Sequence, residues 1–390
     1  MVYGHCRRHL LLMTCGGVAV AGAAILGCLT VAATAQQALS GAQKLMTVRA
    51  SRLPGKVHVL PATLETTQWG WFDNAELPRL TIDSGDTVVF ETMSHAHGQL
   101  FPGRTIDELK KLRTDWPGRG PMTITGPVFV NGAEPGDVLQ IKIRPFPGTL
   151  GVARAQPGRY NAVPPGPFAG NLDKGATLHV PVFVRGALVW TGDSHAAQGN
   201  GEVNLTAIET AFQEMNVTIT VDKTHKLEWP RIETASDWIT MGFDEDLAKA
   251  LDSAKNETTK LLAEERGIPP ERAASLLPAL ADCRVTQVVD IKRGVHCLLP
   301  KDPASMRPVL PRPGAENADY LVTTSRAGAM NQAVDQASWD MIELLQKAKG
   351  LSRLDAYALA SITMDCRIGE IAATDKSIHC LVPKSLWTQR

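Results

Sequence analysis

The chain has 390 residues, 44% of them hydrophobic and 21% charged, enough to bury one large core or two ordinary ones. Its 40 basic and 40 acidic residues balance, which excludes a partner such as nucleic acid held by a broad basic face. With 33 Gly, 25 Pro and only 5% aromatic residues, it is rich in turns, as a β-containing soluble fold requires.

The N-terminus reads as an export signal over residues 1–35. Arg7-Arg8 precedes an apolar run from Leu10 to Val31, and Ala33-Thr34-Ala35 supplies small residues for cleavage. The twin arginine resembles a Tat signal, which exports proteins already folded. The apolar run is also long enough for an uncleaved membrane anchor, and Ile25-Leu26-Gly27-Cys28 is roughly lipobox-like, so anchoring stays open. Removing residues 1–35 leaves 38 basic against 40 acidic residues and four cysteines, Cys283, Cys297, Cys366 and Cys380. An oxidising compartment permits these to pair within or between segments, and buried free thiols are the other option.

Residues 36–56 form a polar leader. From 57 to 232 the pattern is that of a β-sandwich or barrel-like core. Leu80 to Thr92 alternates around Ser84-Gly85-Asp86 and predicts a hairpin. Gly126 to Ile143 repeats the pattern around Pro135-Gly136-Asp137. Ile106–Arg113 has a short helical period, and 145–170 is a Pro/Gly-rich loop region of the kind that often carries function. Strands are expected again near Thr177–Val184, Ala187–Trp190 and Asn216–Val221.

Beyond 232 the chain repeats itself, without gaps, at an offset of 83 residues. Asp282-Cys283-Arg284 recurs as Asp365-Cys366-Arg367, and His296-Cys297-Leu298 as His379-Cys380-Leu381. Two α+β copies, 233–301 and 316–384, are thus expected across a Pro-rich linker, 302–315. Each reads as a strand, two helices and a strand pair. The predicted fold class is β-rich α+β, a sandwich or barrel-like core followed by a duplicated unit. If the strand pair turned near Lys292, Cys283 and Cys297 would not face each other, which argues against pairing within a copy.

The stretch Thr191-Gly192-Asp193-Ser194-His195 to Gln198-Gly199-Asn200-Gly201-Glu202 concentrates chemistry after a strand. Residues two apart on an extended segment point the same way, so Asp193 and His195 can share one ion. Glu91 to Gln99 adds His95 and His97 at the same spacing, also at a strand end. These four are the candidate metal ligands, and a carboxylate–imidazole set suits zinc or a similar divalent ion. Structural alternatives stand beside each: turn and cap roles for Asp193 and Glu202, a hydrogen-bonded surface loop for the two histidines, and a solvated role for Glu91 and Glu209. Asn171 and Asp173, in Pro164 to Asp173, can wall a pocket and bond a substrate amide, or simply form Asx turns. No Gly-x-Ser-x-Gly elbow, phosphate loop or dinucleotide fingerprint is present, and no cysteine lies near these clusters.

The succession P-G-P-F-A-G-N-L-D, L-H-V-P-V-F-V-R-G-A-L-V-W-T-G-D-S-H-A-A-Q-G-N-G-E-V and T-A-I-E resembles the acetamidase/formamidase family. The resemblance runs from 57 to 301 and extends through the second copy. It implies hydrolysis of short linear amides, formamide- or acetamide-like, to carboxylate and ammonia. It also implies Gln198 and Glu202 as catalytic residues, with Asn171 and Asp173 touching substrate. Glu202 is expected to handle the proton of a metal-activated water. One departure stands out: where the family usually has Gly-Asp-Gly-Glu, this chain has Gly199-Asn200-Gly201-Glu202. The partners expected are a small-molecule amide, no nucleic acid, and further copies in a homo-oligomer. Periplasmic or envelope location follows from the signal. Two other readings remain, an exported non-catalytic binder of a small amide or metal, and an envelope-anchored scaffold.

Overall fold

The computed structural model describes residues 53–120, 122–144, 175–311, 317–371 and 376–387. In chain order the first part gives β1 (Val57–Leu60), β2 (Thr67–Trp69), β3 (Leu80–Ile82), β4 (Thr87–Phe90), α1 (Ile106–Asp115), β5 (Thr123–Val130) and β6 (Val138–Ile143). There follow β7 (Thr177–Pro181), β8 (Val189–Gly192), β9 (His195–Ala197), β10 (Ile208–Glu209) and β11 (Met215–Asp222). The second part gives β12 (Arg231–Glu233), β13 (Asp237–Asp244), α2 (Leu247–Arg266), α3 (Pro270–Leu280), β14 (Asp282–Gln287) and β15 (Arg293–Pro300). It closes with β16 (Tyr320–Arg326), α4 (Met330–Lys349), α5 (Arg353–Thr363), β17 (Asp365–Ile368) and β18 (Ser377–Pro383). The architecture is the β-rich α+β class expected from the sequence.

The two predicted hairpins are sheet crossings instead. β3 runs parallel to β5 in a four-stranded sheet, whereas β4 lies in a twelve-stranded sheet between β1 and β11. β5 and β6 divide in the same way. Each Gly-Asp turn carries the chain from one sheet to the other. Gly85 and Gly136 take the left-handed conformation there, at φ 95° and 90°. Asp86 fixes the first corner by accepting from the backbone N–H of Lys56 and Asp83 and pairing with His58. The reason lies in burial: Val88, Phe90, Val128, Val130, Leu139 and Ile219 interdigitate between the sheets, and paired hairpins would leave those faces wet.

The duplication is visible in the strand order. The large sheet ends β13-β15-β14-β17-β18-β16, so the second copy reverses the order of the first across the β14–β17 seam, where Arg284 pairs with Arg367. Asp282, Arg284, Asp365 and Arg367 form one ion network there, with Arg284 Nη2 2.7 Å from Asp282 and Arg367 Nη2 2.7 Å from Asp365. Both cysteine pairs are bonded within their own copies, Cys283–Cys297 and Cys366–Cys380. The turn of β14–β15 comes at Asp290-Ile291, ahead of Lys292, and a bulge between Val285 and Gln287 sets Cys283 opposite Cys297. The objection to pairing within a copy therefore falls. Among the described residues no helix is long and apolar enough to cross a membrane.

Candidate metal and catalytic site

Four side chains converge at the ends of these strands: His95, Asp193, His195 and Glu209, with one ligating atom from each lying within 4.8 Å of all the others. His95 Nε2 is 2.8 Å from Asp193 Oδ1 and 2.9 Å from Glu209 Oε2. His195 Nε2 is 3.3 Å from Asp193 Oδ1 and 3.1 Å from Glu209 Oε1. A tetrahedral zinc ion with bonds near 2.0–2.1 Å holds its ligand atoms roughly 3.3 Å apart. His195 Nε2 is buried and makes no aligned hydrogen bond to either carboxylate, while its Nδ1 donates to Gln198 Oε1 at 2.6 Å. That bond keeps a proton on Nδ1, so Nε2 is the nitrogen that offers a lone pair to the group once the ring is neutral, as a ligand requires. The residues fit a divalent ion.

Convergence comes from turns rather than an extended segment. Asp193 sits at φ 52°, so it doubles back beside His195 instead of alternating with it. Glu209 arrives by cross-strand pairing: β9 and β10 run antiparallel with Glu209 opposite His195, which puts both side chains on one face. Among the expected ligands, His97 does not join. Ala96 and His97 are both left-handed, at φ 61° and 48°, which turns the second imidazole away from the first and against Trp69, at 6.0 Å between ring centres. Thr123 holds this turn, accepting from the His97 N–H and donating to the Ser94 carbonyl.

Burial opposes charge on both ligand imidazoles, but the carboxylates of Asp193 and Glu209 outweigh it and hold His95 at about 9 and His195 at about 10. Burial likewise opposes charge on Asp193, and the two histidines overcome it, keeping that carboxyl well below the usual range. Both imidazoles therefore favour the protonated form at neutral pH. Glu202 is the exception among the acids. Burial pushes it up to about 7, Gln198 opposes through a hydrogen bond, and the negative charges of Asp290 and Asp193 push the same way as burial.

Glu202 is held by both repeat copies. Gly201 N–H donates to the Thr286 carbonyl, and Val288 N–H returns a bond to the Gly201 carbonyl. From the other side, Gly199 N–H donates to Ser361, Cys366 N–H donates to the Asn200 carbonyl, and Asn204 Nδ2 donates to Tyr357. A Cβ on Gly199 would stand 2.2 Å from the Met364 carbonyl, so only glycine permits this approach. Asn200 Nδ2 donates to Asp365 Oδ1 at 3.2 Å, so the departure at this position is a strut to the second copy, outside the ligand group. Asp290, which the sequence reading missed, enters from the β14–β15 tip, and burial and the Asp193 charge both raise its carboxyl. Asn171 and Asp173 lie outside the described residues.

Fold and side chains define a class: a β-rich α+β protein with a histidine–carboxylate group able to hold a divalent ion, beside a buried glutamic acid. Residues 154–303 match the model of the acetamidase/formamidase family, a span holding every one of these site residues except His95. A predicted acetamidase/formamidase from Thermoanaerobacter tengcongensis is 25% identical, with 63% of this chain and 96% of that one covered at a TM-score of 0.51. An acetamidase from Yersinia enterocolitica shares the fold at 24% identity, with 65% and 94% covered and a TM-score of 0.52. No curated protein gives a match. The chain is thus similar to the acetamidase/formamidase family over residues 154–303, and its fold is that of the acetamidase structures.

Proposed function

We propose that the protein is an amidase that hydrolyses short linear amides, of the formamide and acetamide kind, to carboxylate and ammonia. The observation that carries this reading is the meeting of His95, Asp193, His195 and Glu209 within 4.8 Å, next to a glutamic acid whose pKa is about 7. The first four bind a divalent ion, zinc by the chemistry of its donors. Such an ion, when bound, supplies a Lewis acid that polarises the amide carbonyl and acidifies water.

The remaining work belongs to the chain. Glu202, poised near neutral pH, takes a proton from the attacking water and delivers it to the departing nitrogen. Gln198 accepts from His195 Nδ1 and so fixes the imidazole tautomer. Asn171 and Asp173 are assigned to the substrate amide on the family resemblance. Export to the periplasm or envelope and assembly into a homo-oligomer belong to the same proposal, the first supported by the N-terminal pattern. The test is ammonia release from formamide, acetamide and longer amides by purified protein, before and after chelation and metal return. Release that chelation abolishes and zinc restores is expected; no release from any amide with the site fully loaded would overturn the reading in favour of a binding protein.

A further inference from the structure

Against the outer side of the ligand turn lies a cavity of about 450 Å³ whose lining includes Trp69, Trp71, Trp116, His97, Gln68 and Arg119. That volume lies within the usual range of small-molecule pockets, roughly 300–1,000 Å³. Trp69 and Trp116 tilt together at 5.3 Å between ring centres, and Trp71 and Trp116 remain 66% and 48% exposed. So much open indole surface in one place is unusual without an occupant.

Most polar groups of this cavity are already engaged, the buried His97 Nε2, which has no hydrogen-bond partner, being the exception. Trp69 Nε1 donates to the Gly120 carbonyl at 2.7 Å, and Trp71 Nε1 donates to the Gly118 carbonyl. Arg79 pairs with Glu76 at 3.0 Å, and Arg119 bonds the Trp69 carbonyl at 3.2 Å. What it offers is ring faces, with the charged rim spent internally, and that suits a neutral aromatic group better than an ion.

Two elements border both the cavity and the segments that carry the ligand group, none of whose four residues lines the cavity itself. His97 lines it two residues after His95, and Gln68 lines it while accepting from the indole of Trp190, three residues before Asp193. We propose that this cavity receives the aromatic end of an arylalkyl amide such as phenylacetamide, placing the amide toward His95 and Asp193. The inference rests on the amidase reading for the identity of the reacting end, and extends the substrate range from short aliphatic amides to ones bearing an aryl group.

Binding can be read without turnover, by titration calorimetry of the full protein with phenylacetamide and with acetamide. The intact protein is expected to bind phenylacetamide at least tenfold more tightly, and Trp71→Ala and Trp116→Ala each to weaken that binding about tenfold, the order of one lost aromatic contact and its buried area. Trp71→Phe, which keeps a ring, is expected to restore most of the affinity, and circular dichroism checks that each variant is folded. Equal affinity for the two amides, or folded Trp71→Ala and Trp116→Ala variants that bind phenylacetamide as the parent does, would overturn the proposal. If no amide releases ammonia but phenylacetamide still binds through these tryptophans, the amidase reading fails and this cavity assignment stands.

Discussion

Adding zinc to the metal-free protein at pH 7 should release protons, and the number follows from the site. His95 and His195 are held at about 9 and about 10, so at neutral pH each carries a proton in at least about 99 molecules of 100. A ligand imidazole must be neutral, so one ion displaces about two protons. Two imidazolium ions facing two carboxylates become two neutral imidazoles and a dication facing the same carboxylates, and the charge stays balanced. Apparent affinity should therefore rise by up to about a hundredfold per pH unit below 9, and flatten above 10. The assay is calorimetric titration of zinc in buffers of differing ionisation enthalpy, where the slope gives protons released per ion. A slope of zero would refute the placement of both histidines in the ligand group. The sign extends to stability. Both imidazoles are raised above their ordinary value, so their pairing stabilises the metal-free fold fully below about 6.5 and loses that contribution as pH climbs through 9 to 10. Thermal unfolding of the metal-free protein should show that loss.

Glu202→Gln should retain zinc and lower kcat by about 10²–10⁴-fold, measured by steady-state ammonia release. Survival of the parent rate would remove Glu202 from proton transfer. Glu209→Ala should cost at least about tenfold in zinc affinity, whereas His97→Ala should keep full zinc stoichiometry; elemental analysis of the two purified variants checks both. Gly199→Ala forces a methyl against the Met364 carbonyl and should destabilise by about 1–3 kcal/mol, with kcat falling as Glu202 shifts. An unchanged melting temperature would show that the loop is not clamped.

Much of the site was legible because it sits in two short, dense runs. Asp193, His195 and His95, named from residue type and position at strand ends, are among the four side chains that come together. The error over His97 came from assuming alternation where the backbone is left-handed at Ala96 and His97, a conformation neither residue type announces. Glu209 was passed over because its role depends on the β9–β10 register, a long-range pairing that no local pattern encodes. The supposed hairpins failed for a related cause. A Gly-Asp turn between apolar strands looks the same whether the strands pair with each other or part into two sheets, and burial of both faces decides. The repeat was plain from the sequence, but its part in the site was not, since Asp290 and the contacts of Ser361 and Cys366 are visible only once the copies have folded against the core.

The grip of both copies on the loop carrying Glu202 also sets a timetable for synthesis. Gly201 waits for Thr286 and Val288, and Gly199 and Asn200 wait for Ser361, Asp365 and Cys366, over 150 residues downstream. The four ligand residues can all leave the ribosome long before the last of these partners is made. On the proposed mechanism, a nascent chain would therefore complete the ligand group early but clamp the loop carrying Glu202 only when nearly complete, so that hydrolysis would wait until translation had all but ended.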